Sequence, residues 1–182
     1  MKRLILIATI FVLFSSFIEF QSWRPVEGSV AHFKIRGLFG MYVKGTLGDM
    51  KAEIDFDEKA PERASISASV SAATIKTGIK KRDAHLRSDD FLDAEKYPLI
   101  TFKSSSVSRN GEAYLAKGTL TIKNVSDTIS IPFTVETVGD NRLFRGAFAI
   151  DRTHYHVGKK MIGMGKTVKL DLTVFCEAQR PR

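Results

Sequence analysis

Hydrophobic and polar residues alternate along most of this chain, and from Trp23 onward the dominant period is two. Ile66, Ala68 and Val70 alternate with Ser65, Ser67, Ser69 and Ser71. Ile129, Ile131, Phe133 and Val135 form a second stripe, and Phe144, Gly146, Phe148 and Ile150 a third. Val168, Leu170, Leu172, Val174 and Cys176 form a fourth. Successive side chains of a strand point to opposite faces, so each stripe suits a strand with one face inward and one in water. The pattern predicts strands over 29–36, 41–47, 50–56, 64–72, 98–107, 112–123, 128–138, 142–151 and 166–177. Turn formers separate them: Asp57 to Pro61, Arg109-Asn110-Gly111, and Val138-Gly139-Asp140-Asn141. Many antiparallel strands on short turns, each with one apolar face, argue an all-β barrel or sandwich.

The stretch from Thr77 to Pro98 breaks the alternation. It is dense in charge, from Lys80-Lys81-Arg82-Asp83-Ala84-His85-Leu86-Arg87 into Ser88-Asp89-Asp90-Phe91-Leu92-Asp93. Ser88 or Asp89 is placed to cap a short helix that ends near Tyr97-Pro98. An insert of this length without strands is unusual in a compact β domain and is often functional. No repeat or linker interrupts the rest, so residues 23–182 are expected to form one domain.

Ahead of that domain, Lys2 and Arg3 precede an uncharged apolar run from Leu4 to Phe14. A basic start and a short apolar core have the form of a secretory signal peptide. The run falls short of the roughly 20 apolar residues that span a bilayer. Residues 1–22 are therefore read as a leader with its cleavage site open, and export to the periplasm is the expectation. Its removal takes two cations, Lys2 and Arg3, and one anion, Glu19, so the formal charge falls only from +8 to +7. The basic character belongs to the domain and favours anionic partners without choosing among them. Cys176 is the single cysteine, so no intramolecular disulfide forms, and its mid-strand position reads as a small buried hydrophobe.

Candidate chemistry is sparse. His154 and His156 make an H-x-H pair whose rings would share a face if they stood on a strand. A metal site needs three or four ligands, and the other histidines, His32 and His85, are distant in sequence. Asp83, His85 and Ser88 invite a hydrolytic reading, but no nucleophile elbow accompanies them. The basic run Lys80-Lys81-Arg82 and Arg87 lacks the interleaved aromatics that stack nucleic-acid bases. No catalytic residue, metal or cofactor is assigned.

The chain resembles the YceI-like family of bacterial exported proteins from about Trp23 to Ala178. The resemblance is carried by Thr77-Gly78, Arg82-Asp83-Ala84-His85-Leu86-Arg87-Ser88, Asp90-Phe91 and Lys96-Tyr97-Pro98. It continues through Thr101-Phe102-Lys103-Ser104, Gly118-Thr119-Leu120-Thr121-Ile122-Lys123, Ile131-Pro132-Phe133, Arg152-Thr153 and Tyr155. Gly28, His156 and Lys166 depart from it, standing where the family often has a histidine, a glycine and an acidic residue. The resemblance implies an extended, lipocalin-like antiparallel β-barrel with an elongated apolar pore and a short helical or loop insert around 78–97. It also implies binding of long-chain amphiphiles such as polyisoprenoids, isoprenoid quinones or fatty-acid derivatives.

On this reading the protein is an exported lipid carrier and not an enzyme. Inward positions proposed to line the pore are Phe33, Ile35, Ile66, Val70, Phe102, Leu120, Ile122, Phe133, Phe148, Ile150 and Leu172. Arg82, Asp83, His85 and Arg152 are the candidates for a polar headgroup at the rim, since arginine suits phosphate and carboxylate. Filling a barrel with side chains requires the same alternation as lining a cavity. A packed-barrel, stress-related interaction protein without lipid therefore stays open as an alternative, as does a hydrolase built on the Asp83/His85 loop. Nucleic acid is not an expected partner; transient membrane-surface contact and a homodimer are left open.

Overall fold

The computed structural model describes residues 22–37, 40–158 and 163–179; residues 1–21 of the expected leader lie outside them, and Ser22, its last residue, belongs to the first strand. Ten strands run β1 (Ser22–Pro25), β2 (Val30–Arg36), β3 (Tyr42–Leu47), β4 (Lys51–Asp55) and β5 (Ser65–Ser71). After the insert come β6 (Leu99–Asn110), β7 (Ala113–Ile122), β8 (Val125–Val138), β9 (Asn141–Asp151) and β10 (Thr167–Ala178). Every pairing is antiparallel, and β5 to β10 form a meander in which each strand pairs with the next.

β10 then pairs with β2 over Val168–Thr173 and with β1 over Cys176–Ala178, so β1 and β2 act as one interrupted strand. β3 on β2 and β4 on β1 act as a second, and β4 returns to β5. The ring therefore closes with eight strand positions and leaves no open edge at β10. Eight strands give an interior just wide enough for side chains or one small ligand.

The period-two stripes face inward as read. In β7, Tyr114, Ala116, Leu120 and Ile122 are buried, while Lys117 and Thr119 are exposed. Predicted strand bounds differ from the observed ones mainly at β6, which reaches Asn110, and β8, which begins at Val125. β1 is too short to show a stripe, and the alternation omits it. The β6–β7 loop consists of Gly111 and Glu112, with Asn110 paired to Ala113 and Gly111 at φ 64°.

The helix is a correction. It spans Lys80–Arg87, labelled α1, and Ser88 follows its last turn instead of capping a start. The Ser88 hydroxyl donates to the His85 carbonyl oxygen at 2.8 Å, a bond that closes a helix end. Residues 88–97 are turns, with the Ser88 carbonyl accepting from the Phe91 and Asp93 amides. No side chain caps the helix start at Ile79. Its first turn is fixed by tertiary bonds between Asp83, Arg82 and Thr77.

Candidate functional site

Strand direction divides the barrel into two ends. At one end lie the termini of β2 and β3 that face each other, the 72–98 insert, the Lys123-Asn124 turn, and residues 152–158 and 163–166. At the other lie the 56–64 loop and the turns after Asn110 and Val138.

The second end is closed by aromatic side chains. Phe56 makes edge-to-face contacts with Tyr114, Phe133 and Phe144 at centroid distances of 4.8, 5.8 and 5.9 Å. Tyr114 stacks on Phe133 at 5.4 Å. Trp23 is buried at the same end and donates to the Phe56 carbonyl oxygen at 3.4 Å, with the Arg142 guanidinium 4.8 Å from its ring. Such contacts between rings contribute about 0.5–1.5 kcal/mol each beyond simple burial, which makes this a firm floor.

Above the floor the barrel is hollow. A cavity of about 230 Å³ runs up its interior. A single water needs only about 10–15 Å³ on a comparable measure. Among the described residues that line it, Arg152 is the one charged side chain; Ser69 and Thr101 also border it, but strand alternation turns their hydroxyls to the outer face. An apolar space of this kind holds hydrocarbon more readily than water.

The structure places all eleven sequence-proposed lining residues on this wall. Phe33 and Ile35 come from β2, Ile66 and Val70 from β5, and Phe102 from β6. Leu120 and Ile122 come from β7, Phe133 from β8, Phe148 and Ile150 from β9, and Leu172 from β10. Small residues widen the space on one side. Ala52 of β4 lies directly opposite Ala68 of β5, which lies opposite Phe102. Gly45 leaves room for the Phe33 ring, since a Cβ there would sit 2.4 Å from Phe33 Cζ.

Strand alternation misses the cover at the insert end. Leu86 from α1, Phe91 and Leu92 from the turns after it, Ile75 before it, and Val157 and Met164 between β9 and β10 all line the cavity. No period of two marks them, because Leu86 stands on a helix and the others reach inward from irregular backbone. The Phe91-Leu92 pair inside a charge-dense run was the one available signal. The cover is stitched to the barrel by Lys123, whose ammonium donates to the carbonyl oxygens of Asp89 and His156 at 3.2 and 3.3 Å.

The four polar candidates part company. Arg152 is buried at 3% exposure and belongs to the cavity wall. Its Nε donates to the Gly165 carbonyl oxygen at 2.9 Å and another guanidinium nitrogen to that of Val157 at 2.7 Å. Burial holds its pKa below the usual arginine value, opposed by the neighbouring Asp151 carboxylate. Asp83 accepts from the amide and the hydroxyl of Thr77. The hydroxyl bond is the largest influence holding its carboxyl below the usual range. Arg82 donates to the Thr77 hydroxyl and carbonyl oxygens at 2.7 and 3.0 Å. His85 points to the outer surface, 3.5 Å from Asp90 and edge-on to Phe91. Asp83, His85 and Ser88 thus engage three different partners, and none of the three lies on the cavity wall.

Two other sequence readings resolve in structure. His154 and His156 stand in turns and not on a strand, with His154 3.5 Å from Asp127. His156 has φ 54°, a left-handed backbone that explains why glycine suits this position. Among the described residues no group of three metal-ligating side chains converges. Cys176 is fully buried, and burial pushes its thiol up to about 12. It behaves as a small core hydrophobe.

Comparison with known proteins agrees with this architecture. The family model for the YceI-like domain matches residues 23–175. Protein YceI of Escherichia coli O157:H7 is 33% identical over 123 residues, covering 68% of this chain and 64% of that protein. The chain thus spans just under two thirds of the length of such curated relatives. The crystal structure of a Campylobacter jejuni YceI protein superposes with a TM-score of 0.69 at 28% identity, covering 76% of this chain and 86% of that one. A domain from Saccharophagus degradans, described as polyisoprenoid binding, has the same fold with a TM-score of 0.69 at 15% identity, covering 88% of this chain and 100% of its own. On the family match and the shared closed barrel, the chain belongs to the YceI-like family.

Proposed function

We propose that this protein is an exported carrier that holds one long-chain amphiphile in the barrel cavity. The ligand class is a polyisoprenoid, an isoprenoid quinone or a fatty-acid derivative. The observation that carries the reading is the floored cavity of about 230 Å³ whose wall is almost wholly hydrocarbon. Each CH₂ moved from water into such a space contributes about 0.8 kcal/mol, so a chain of roughly a dozen carbons binds without a polar anchor. The description of the Saccharophagus domain as polyisoprenoid binding supports the same ligand class.

The chain enters tail first from the insert end, because the opposite end is plugged by packed rings. Arg152 is the cation beside the ligand's polar end, held at the cavity wall by two backbone carbonyls. Arg82 and Asp83 serve the site indirectly by fixing the insert that covers it. The apolar leader supports export to a periplasm, where a hydrophobic ligand needs a soluble container between membranes.

Native mass spectrometry of the protein purified gently from the periplasm, followed by lipid extraction, tests the reading. A stoichiometric adduct that extracts as an isoprenoid or acyl lipid is the expected result. A bare mass that stays unchanged after incubation with quinones and fatty acids overturns it.

A further inference from the structure

The outer surface around the insert end differs in chemistry from the rest of the barrel. Among the described residues five large apolar side chains are strongly exposed, and four of them stand at this end. Met41 and Tyr42 project at the start of β3 at 70% and 59% exposure, Ile79 stands just before α1 at 52%, and Leu99 opens β6 at 51%. Only Val138 lies at the floor end.

Beside Met41 and Tyr42 the sheet register builds a row of like charge. Lys169 of β10 lies directly opposite Lys34 of β2, which lies directly opposite Lys44 of β3. Alternation puts all three outside, because their neighbours Phe33, Ile35, Val168 and Leu170 line the cavity. Like charges directly opposite in adjacent strands destabilise a sheet. Among the described residues none of the three lysines pairs with a carboxylate. Lys34 instead sits 4.1 Å from the centroid of the Tyr42 ring. Arg36 extends the row toward the rim, and Lys80 and Lys81 follow Ile79. The next row, Asp171–His32–Thr46, carries a single acid. At the floor end the loops carry Asp57, Glu58, Glu62, Glu112 and Asp140 against Lys59 and Arg63. The insert itself is mixed, with Asp89, Asp90, Asp93 and Glu95 following Lys80 and Lys81; the uniformly basic surface is the β10–β2–β3 row, which lies beside Met41 and Tyr42 at the end through which a lipid enters.

We propose that this rim docks on an anionic phospholipid bilayer. Met41, Tyr42 and Ile79 enter the headgroup layer, and Lys34, Lys44 and Lys169 meet lipid phosphates. An aromatic ring with cations beside it suits the interface, where one part of the group is apolar and the other wet. Phosphates across the lysine row relieve the repulsion that the register imposes. Docked in this way, the barrel presents its covered end to the membrane, so the ligand passes between lipid and cavity without crossing water.

The inference rests on the carrier reading, and the two fail separately. Flotation of the purified protein with vesicles of 30% phosphatidylglycerol in phosphatidylcholine, against phosphatidylcholine alone, tests docking. Binding to the anionic vesicles, weakened by salt, is expected. Replacing Lys34, Lys44 and Lys169 together by glutamine should weaken it about a hundredfold, because each basic residue near an anionic leaflet contributes about fivefold. M41S/Y42S should also lose binding. If the lysine variant loses binding while M41S/Y42S keeps it in full, the surface is a general polyanion patch and membrane docking is wrong. A wild-type protein that carries lipid yet ignores anionic vesicles overturns docking alone. A wild-type barrel that stays empty by native mass after incubation with quinones and fatty acids overturns the carrier reading whatever the vesicles show.

Discussion

At the scale of single residues, the barrel depends on places where a side chain is missing. Gly118 takes an inward position in β7, between Ala116 and Leu120. A Cβ there would lie 2.3 Å from the Lys103 carbonyl oxygen, 2.7 Å from the Ser104 Cα and 2.8 Å from the Phe102 Cζ. The first two are backbone atoms in the neighbouring strand and cannot swing aside. Just beyond them β6 carries a bulge between Ser104 and Ser106, which bends the strand around this close approach. Gly118→Ala should therefore lower stability by about 1–3 kcal/mol, the usual cost of overpacking. The measurement is the urea midpoint at unchanged slope. A midpoint equal to that of the wild type would show that β6 yields at little cost. Gly78 has φ 84° but open space where a Cβ would go, so what it supplies is backbone conformation and not close approach.

Among the elements, the strands and the presence of an insert were legible in the sequence, and the internal structure of the insert was not. A stripe such as Val168, Leu170, Leu172 and Val174 reports its own inward face, because burial on one side of a pleated strand imposes period two whatever lies across from it. The β6 bulge shows the limit of that reading. Before it Ile100 and Phe102 line the cavity at even positions, and after it Val107 is buried at an odd one. One extra residue reversed the parity and hid Val107 from the pattern. The helix was misplaced for a different reason. Ser88 is a good cap in isolation, but Lys80–Arg87 is fixed by Thr77, a contact across a turn that no local preference encodes. The eleven lining positions could be read because they lie on strands; the cover residues Leu86, Phe91 and Met164 could not.

That latch makes the insert sensitive to acid. The folded-state pKa of Asp83 lies below its ordinary 3.8, so its carboxylate contributes fully above that value. The contribution falls away as the pH drops through the lower folded-state value. Hydrogen-exchange protection of 77–92 should therefore fall at pH 3 relative to pH 6, by more than that of β7 and β9. Asp83→Asn keeps the shape and removes the titration, so its insert should be less protected at pH 6 and change little on acidification. Equal protection of the wild-type insert at both pH values would mean that the Thr77 bonds do not hold it.

At the scale of the whole molecule, the question is whether the interior is a container or a core. The two make opposite predictions for the same substitution. Ala68 faces the cavity with Ala52 on one side and Phe102 on the other, and it is only half-buried because the space in front of it is empty. In a packed core, Ala68→Phe would force off-rotamer side chains and cost about 1–3 kcal/mol. In a hollow barrel the new ring gains contacts instead and displaces whatever fills the space, so the apo protein should be as stable as the wild type or more so. Carried lipid should then fall while the fold persists, as read by native mass and thermal unfolding on one preparation. This is a cleaner probe than Phe133→Arg, which would bury a charge among the floor rings and lose lipid by unfolding. A destabilised Ala68→Phe variant would mean that the interior already has its contacts, and the barrel would then be a scaffold and not a vessel.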